Sequence, residues 1–176
     1  NTTWTFSRDV DLKFEFVGVN YYDGQGFMAK ADLGVSSATE LDGATVCIQT
    51  GTTTELNLAD FFRANNMSYE AVPVETGSEA VTNYMAGACD VFTTDRSALA
   101  ARRANMETPT DHVVLPEIVS KEPLGPLVRH GDNNWGDVVR WTLNALITAE
   151  ELGVTAANVA EICLLYTSDA ADDGLS

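Results

Sequence analysis

The strand-like run Thr45-Val46-Cys47-Ile48-Gln49 leads into Thr50-Gly51-Thr52-Thr53-Thr54-Glu55. An apolar strand, a glycine turn and a hydroxyl-rich helix start bring backbone N–H groups and Thr hydroxyls to the positive end of a helix dipole. Such a place binds anions. No Lys follows the glycine, so a Walker-type phosphate loop is excluded and a small carboxylate is the expected guest. The competing role for the turn is a plain helix cap. Two other groups bear on it. Arg8 lies in a hydroxyl-rich stretch with Thr2, Thr3, Thr5 and Ser7, and its planar fork can pair bidentately with a carboxylate. Asp95 follows Thr93-Thr94 at a strand end, where it can receive an ammonium or cap the next helix. A surface role for Arg8 and a cap role for Asp95 are each the commoner use of such a residue alone. One cation, one anion and a dipole-backed hydroxyl cluster are together the complement of a zwitterion. Trp4, Tyr21 and Tyr22 are candidates to wall such a site, with core or hinge packing as the commoner use of at least two of them.

Those groups must be positioned by a scaffold. From residue 44 onward, apolar strands alternate with amphipathic segments. Strands are expected at 44–49, 69–74, 90–94 and 111–115, with helices near 54–65 (capped by Thr53 or Thr54), 78–86 and 97–105. Pro73 marks the 69–74 strand as an edge or as ending there. This alternation predicts an α/β domain with a parallel sheet and helices on both faces. Ligands of such sheets sit at the carboxyl ends of the strands, where Thr50–Thr53 and Thr94-Asp95 fall. Before this region, strand-like segments cover 17–22 and 27–30, and a short helix covers 37–41 with Ser36 or Ser37 as cap. After it, a stiff Glu122-Pro123-Leu124-Gly125-Pro126 segment leads to a strand at 127–129. A long amphipathic helix at 133–149 carries Trp135, Val138, Val139, Trp141, Leu143, Leu146 and Ile147.

With 176 residues and a net charge of −16, the chain is ill suited to nucleic acid or an anionic membrane. No apolar run is long enough for a membrane-spanning helix, and no signal peptide is present in the sequence. His112 and His130 have no partner at metal-ligand spacing, no nucleophile elbow occurs, and no cofactor is expected. Cys47 and Cys89 both lie at or beside strands. A disulfide in an oxidising compartment and two buried thiols remain equal alternatives.

Taken together, the chain resembles the periplasmic solute-binding proteins of polar amino-acid ABC transporters, of the general L-amino-acid and glutamate/glutamine type. Asn1-Thr2-Thr3-Trp4-Thr5-Phe6-Ser7-Arg8, Tyr21-Tyr22-Asp23-Gly24-Gln25-Gly26-Phe27, Gln49 to Glu55, Thr93-Thr94-Asp95 and Lys121 to Pro126 carry the resemblance, which covers residues 1–162. It implies a type II periplasmic binding fold: two α/β lobes with mainly parallel sheets and a hinge. Residues 1–22 and 125–162 would be remnants of a truncated first lobe, and 26–120 a near-complete second lobe. Arg8 would pair with the ligand α-carboxylate, helped by Thr50, Gly51, Thr52 and Thr53. Asp95 would take the α-ammonium, with Asn1 and Thr3 adding contacts from the first lobe. The implied function is capture of a polar L-amino acid by a periplasmic monomer and its delivery to an inner-membrane permease. A dehydratase-like enzyme of the same fold and the ligand-binding domain of a sensor are the alternatives. Residues 163–176 resemble a translated sequencing adapter and are expected to be a non-native tail.

Overall fold

In the computed structural model the described residues are 3–5, 11 and 13–162. In chain order the strands are β1 (Thr3–Thr5), β2 (Glu15–Phe16), β3 (Tyr21–Asp23), β4 (Gln25–Lys30), β5 (Ala44–Gln49), β6 (Tyr69–Val74), β7 (Val91–Asp95), β8 (His112–Val114) and β9 (Glu122–Val128). The helices are α1 (Thr53–Ala64), α2 (Gly77–Met85), α3 (Arg96–Ala104) and α4 (Asn133–Glu151). The chain divides into two compact units, one drawn from 1–20 and 125–176 and the other from 21–124.

The unit spanning 21–124 is built on a five-stranded sheet in the order β6-β5-β7-β4-β8. The expected alternation yields the parallel pairs β5–β6 and β5–β7. Strand β4 then pairs antiparallel with both β7 and β8, so the sheet is mixed rather than mainly parallel. The short β3 pairs antiparallel with the start of β9.

Period-2 alternation splits the strand side chains into two cores. Phe27, Ala29, Val46, Ile48 and Val91 point to one face and bury Leu58 and Phe62 of α1. Met28, Cys47, Val74 and Phe92 point to the other and bury Ala80 and Tyr84 of α2 and Leu99 of α3. Helices therefore cover both faces, as a sheet buried on both sides requires. Pro73 is tolerated because β6 is an edge strand. Gly87, with φ of 77°, follows the end of α2 in the left-handed region that a side chain disfavours.

Cys47 of β5 and Cys89, just before β7, are joined by a disulfide. His112 is buried, and its Nδ1 lies 2.8 Å from the Tyr84 hydroxyl. Burial holds the imidazole below its ordinary pKa.

In the other unit, β2 pairs antiparallel with Leu127 and Val128 of β9. The expected stiff segment and following strand are thus one strand. Arg140 of α4 bonds Glu15 at 3.2 Å and Asp137 at 3.1 Å. Only part of the apolar surface of α4 is packed away: Val139 and Leu143 are half-buried and Gly136 is buried, whereas Trp135, Val138, Trp141 and Leu146 are exposed.

Candidate functional site

The glycine turn sits where the sequence put it, at the carboxyl end of β5, but its donors are not all free. Gly51 has φ of 70°. The Thr50 amide and hydroxyl both donate to the Val74 carbonyl, at 3.0 and 3.3 Å. The Gly51 amide donates to Glu55 Oε2 at 2.9 Å. Thr50 and Gly51 therefore shape the turn, and their own donors are already engaged. The cap position is Thr52, not Thr53 or Thr54, and its hydroxyl donates to the Gln49 carbonyl at 2.8 Å instead of accepting a helix amide. The amides of Thr52, Thr53 and Thr54 and the Thr53 hydroxyl have no hydrogen-bond partner among the described residues. They form the usable anion-facing surface at the start of the twelve-residue α1.

Asp95 ends β7, the parallel neighbour of β5, and occupies the N-cap position of α3. Its side chain makes no capping bond. That work falls to Asp23, whose carboxylate accepts from the Ser97 hydroxyl, from the Ser97 amide at 3.4 Å and from the Gly24 amide at 2.8 Å. The commoner use of an Asp at this place is thus filled by another residue. Burial pushes the Asp95 carboxyl up to about 6, and the charges of Asp23 and Glu122 push in the same direction.

Beneath this surface lies a buried polar layer. Gln25 faces Asp95 across the β4–β7 ladder. Its Nε2 donates to the Thr54 carbonyl at 3.1 Å and to Thr93 Oγ1 at 3.0 Å. Its amide N–H donates to Ser120 Oγ at 3.0 Å. The Ser120 hydroxyl in turn donates to Glu122 Oε1 at 2.7 Å, which also accepts from Asn57 Nδ2 of α1 at 3.0 Å.

The structure therefore brings Thr50, Gly51, Thr52, Thr53 and Asp95 to the same end of one sheet. Thr3 lies in β1, in the other unit. Asn1 and Arg8 fall outside the described residues, as does the tail at 163–176. Tyr21 and Tyr22 are exposed rather than packed in a core. Asp23, Gln25, Asn57 and Glu122 were not singled out from the sequence. Gln25 gives the one local signal, a polar residue opening the otherwise buried strand β4. Among the described residues no group of three or more His, Cys, Asp or Glu could hold a metal ion, and no helix is long and apolar enough to cross a membrane.

No protein-family model matches the chain. Individual relatives do. The glutamate/glutamine/aspartate/asparagine-binding protein BztA of Rhodobacter capsulatus is 64% identical over 162 residues, covering 92% of this chain and 48% of BztA. The general L-amino acid-binding periplasmic protein AapJ of Rhizobium johnstonii is 57% identical over 162 residues, covering 92% and 48%. In structure, an ABC-transporter periplasmic binding protein from Brucella ovis with glutathione bound matches with a TM-score of 0.84 and 57% identity. The match covers 91% of this chain and 50% of that one. The chain thus spans about half the length of the curated relatives it matches. Over nearly all of its own length, the chain is similar in sequence and fold to about half of each of these amino-acid-binding and periplasmic binding proteins of ABC transporters.

Proposed function

We propose that the chain is part of a periplasmic receptor that captures a polar L-amino acid and presents it to an ABC permease. The observation that carries this reading is Asp95. It stands at a strand end with its capping duty taken over by Asp23, so a partly buried carboxylate is left without a capping bond. The ammonium of an amino acid is its complement. The α-carboxylate then falls to the Thr52–Thr54 amides and the Thr53 hydroxyl, on the neighbouring strand end, with Arg8 as its cation. Asn1 and Thr3 would be further ligand contacts. Charge-assisted hydrogen bonds of this kind contribute about 1.5–3 kcal/mol each. Three or four of them sum to about 4.5–12 kcal/mol, and the upper end offsets a loss of ligand freedom of about 4 kcal/mol and leaves the roughly −8 kcal/mol of a micromolar complex. The name of BztA suggests amino acids with acidic or amide side chains. The Cys47–Cys89 disulfide fits an oxidising compartment such as the periplasm. Ligand contact with both lobes would favour a closed state, which the permease would read, and the receptor would act as a monomer.

The test is a thermal-shift panel of L-amino acids. It uses the chain alone and a completed protein, in which the chain is joined to the segments of BztA that it does not match. Stabilisation by polar amino acids, lost in Arg8→Ala and Asp95→Ala, supports the reading. No shift with any amino acid in the completed protein sinks it, and product formation during incubation would point to an enzyme.

A further inference from the structure

Gln25 is fully buried, and it joins the start of α1 to the end of β7 within the unit spanning 21–124. In the β4–β7 ladder it stands directly opposite Asp95. The Arg96 amide donates to the Gly24 carbonyl at 2.9 Å, which makes Gln25–Asp95 a non-hydrogen-bonded pair. In such a pair the two side chains leave the sheet on one face and stand at their closest. That face is the one covered by α1, because Phe27 and Ala29, two and four residues after Gln25, belong to the core that holds Leu58 and Phe62. The Gln25 side chain reaches α1 and donates to the Thr54 carbonyl at 3.1 Å, in the turn whose amides face an anion. Its other Nε2 hydrogen goes to Thr93 Oγ1 at 3.0 Å, two residues before Asp95. The direction of that bond is fixed, because Thr93 Oγ1 donates its own hydrogen to the Gly26 carbonyl at 2.8 Å. A second tie starts from the Gln25 main chain. Its N–H donates to Ser120 Oγ, Ser120 donates to Glu122 Oε1, and the same oxygen accepts from Asn57 of α1. Helix α1 is thus fastened to β4 at Thr54 and again at Asn57, and β4 is fastened to Asp95.

We propose that Gln25 is a positioning residue that fixes the separation between the first turn of α1 and Asp95, and so makes the protein select α-amino acids over amino acids whose ammonium and carboxylate lie one carbon further apart. This rests on the amino-acid-binding reading and deepens it. Gln25 acts without touching the ligand. A constellation discriminates by spacing only when the groups behind it hold it within a fraction of an ångström. Without the Gln25 tie, the start of α1 can shift relative to the end of β7 and admit the longer molecule.

The test is calorimetric titration of the completed protein with L-glutamine and L-β-homoglutamine, which carries one more methylene between ammonium and carboxylate. Wild type is compared with Gln25→Met, Thr93→Val and Leu99→Ala. Gln25→Met keeps the side-chain length, removes both donors and strands no buried donor, since the Thr93 hydroxyl still donates to Gly26. Leu99 lies in the core on the opposite face of the sheet and serves as a control for lost stability. The wild type should prefer glutamine. That preference should fall about fivefold or more in Gln25→Met, fall less in Thr93→Val, which breaks one of the two bonds, and stay unchanged in Leu99→Ala. Thr93→Val carries the test if Gln25→Met fails to fold. Equal weakening of both ligands in these two variants, with the wild-type preference kept, makes Gln25 a core strut and overturns the proposal while the binding reading survives. A wild type that binds neither ligand sinks the binding reading and the positioning role with it.

Discussion

Asp95 gives the most quantitative prediction. With its carboxyl pushed up to about 6 by burial and by the neighbouring charges of Asp23 and Glu122, the ligand-free protein carries Asp95 about nine-tenths ionised at pH 7. At pH 5 the ionised fraction is about one-tenth. Only the ionised form receives an ammonium. Affinity for L-glutamine, whose own groups do not titrate in this range, should therefore fall about tenfold from pH 7 to pH 5, about 1.4 kcal/mol. Binding near pH 6 should release about half a proton per ligand. The stability of the ligand-free protein moves the other way. A carboxyl raised above its unfolded value favours the fold when protonated. That contribution is present at low pH and is lost as pH rises from about 4 through about 6, by about 1 kcal/mol once solvent screening of this half-exposed group is allowed for. Calorimetric titration of the completed protein at pH 5, 6 and 7, in two buffers of different ionisation heat, measures both affinity and proton release. Asp95→Asn should bind weakly and with a flat pH profile. Equal wild-type affinity at pH 5 and pH 7, without proton exchange and with unchanged circular dichroism, would refute the reasoning.

Two further predictions concern the scaffold. The Cys47–Cys89 bridge closes a loop of sequence separation 42, which chain-entropy arguments value at about 4 kcal/mol. Reduction, or Cys47→Ala with Cys89→Ala, should lower the melting temperature by roughly 10 °C or more; an unchanged melting curve would remove the bridge from the account. Gly125→Ala would set a Cβ 2.1 Å from the Gly18 carbonyl oxygen. Because that neighbour is backbone, the variant should lose more than about 2 kcal/mol in denaturant titration, whereas Gly136→Ala, whose Cβ would meet only the Val128 side chain at 3.7 Å, should lose less.

Much of the fold was legible because its signals are local. Alternation in 44–49 and 91–95, and the periodicity of 53–64, follow from which face each residue buries, and the two cores bear this out residue by residue. The antiparallel placement of β4 and β8 was not legible, since nothing within Gln25–Lys30 says which strand it will pair with. The site was half legible. A glycine–threonine turn and a strand-end Asp carry a signal in their own neighbourhood. That Glu55 occupies the Gly51 amide, that Asp23 relieves Asp95 of capping, and that Glu122 lies under the site through Ser120 and Asn57 all depend on contacts between distant segments. Nor could the helical period of 133–151 show that Trp135, Val138, Trp141 and Leu146 of α4 stay exposed, because periodicity predicts a face and not what covers it.

The most direct test of the central claim is a crystal structure of the completed protein with L-glutamate bound. The ammonium is expected within hydrogen-bond distance of the Asp95 carboxylate, and the α-carboxylate on the amides of Thr52–Thr54 and the Thr53 hydroxyl. A ligand bound with its carboxylate toward Asp95, or seated away from the ends of β5 and β7, would contradict it.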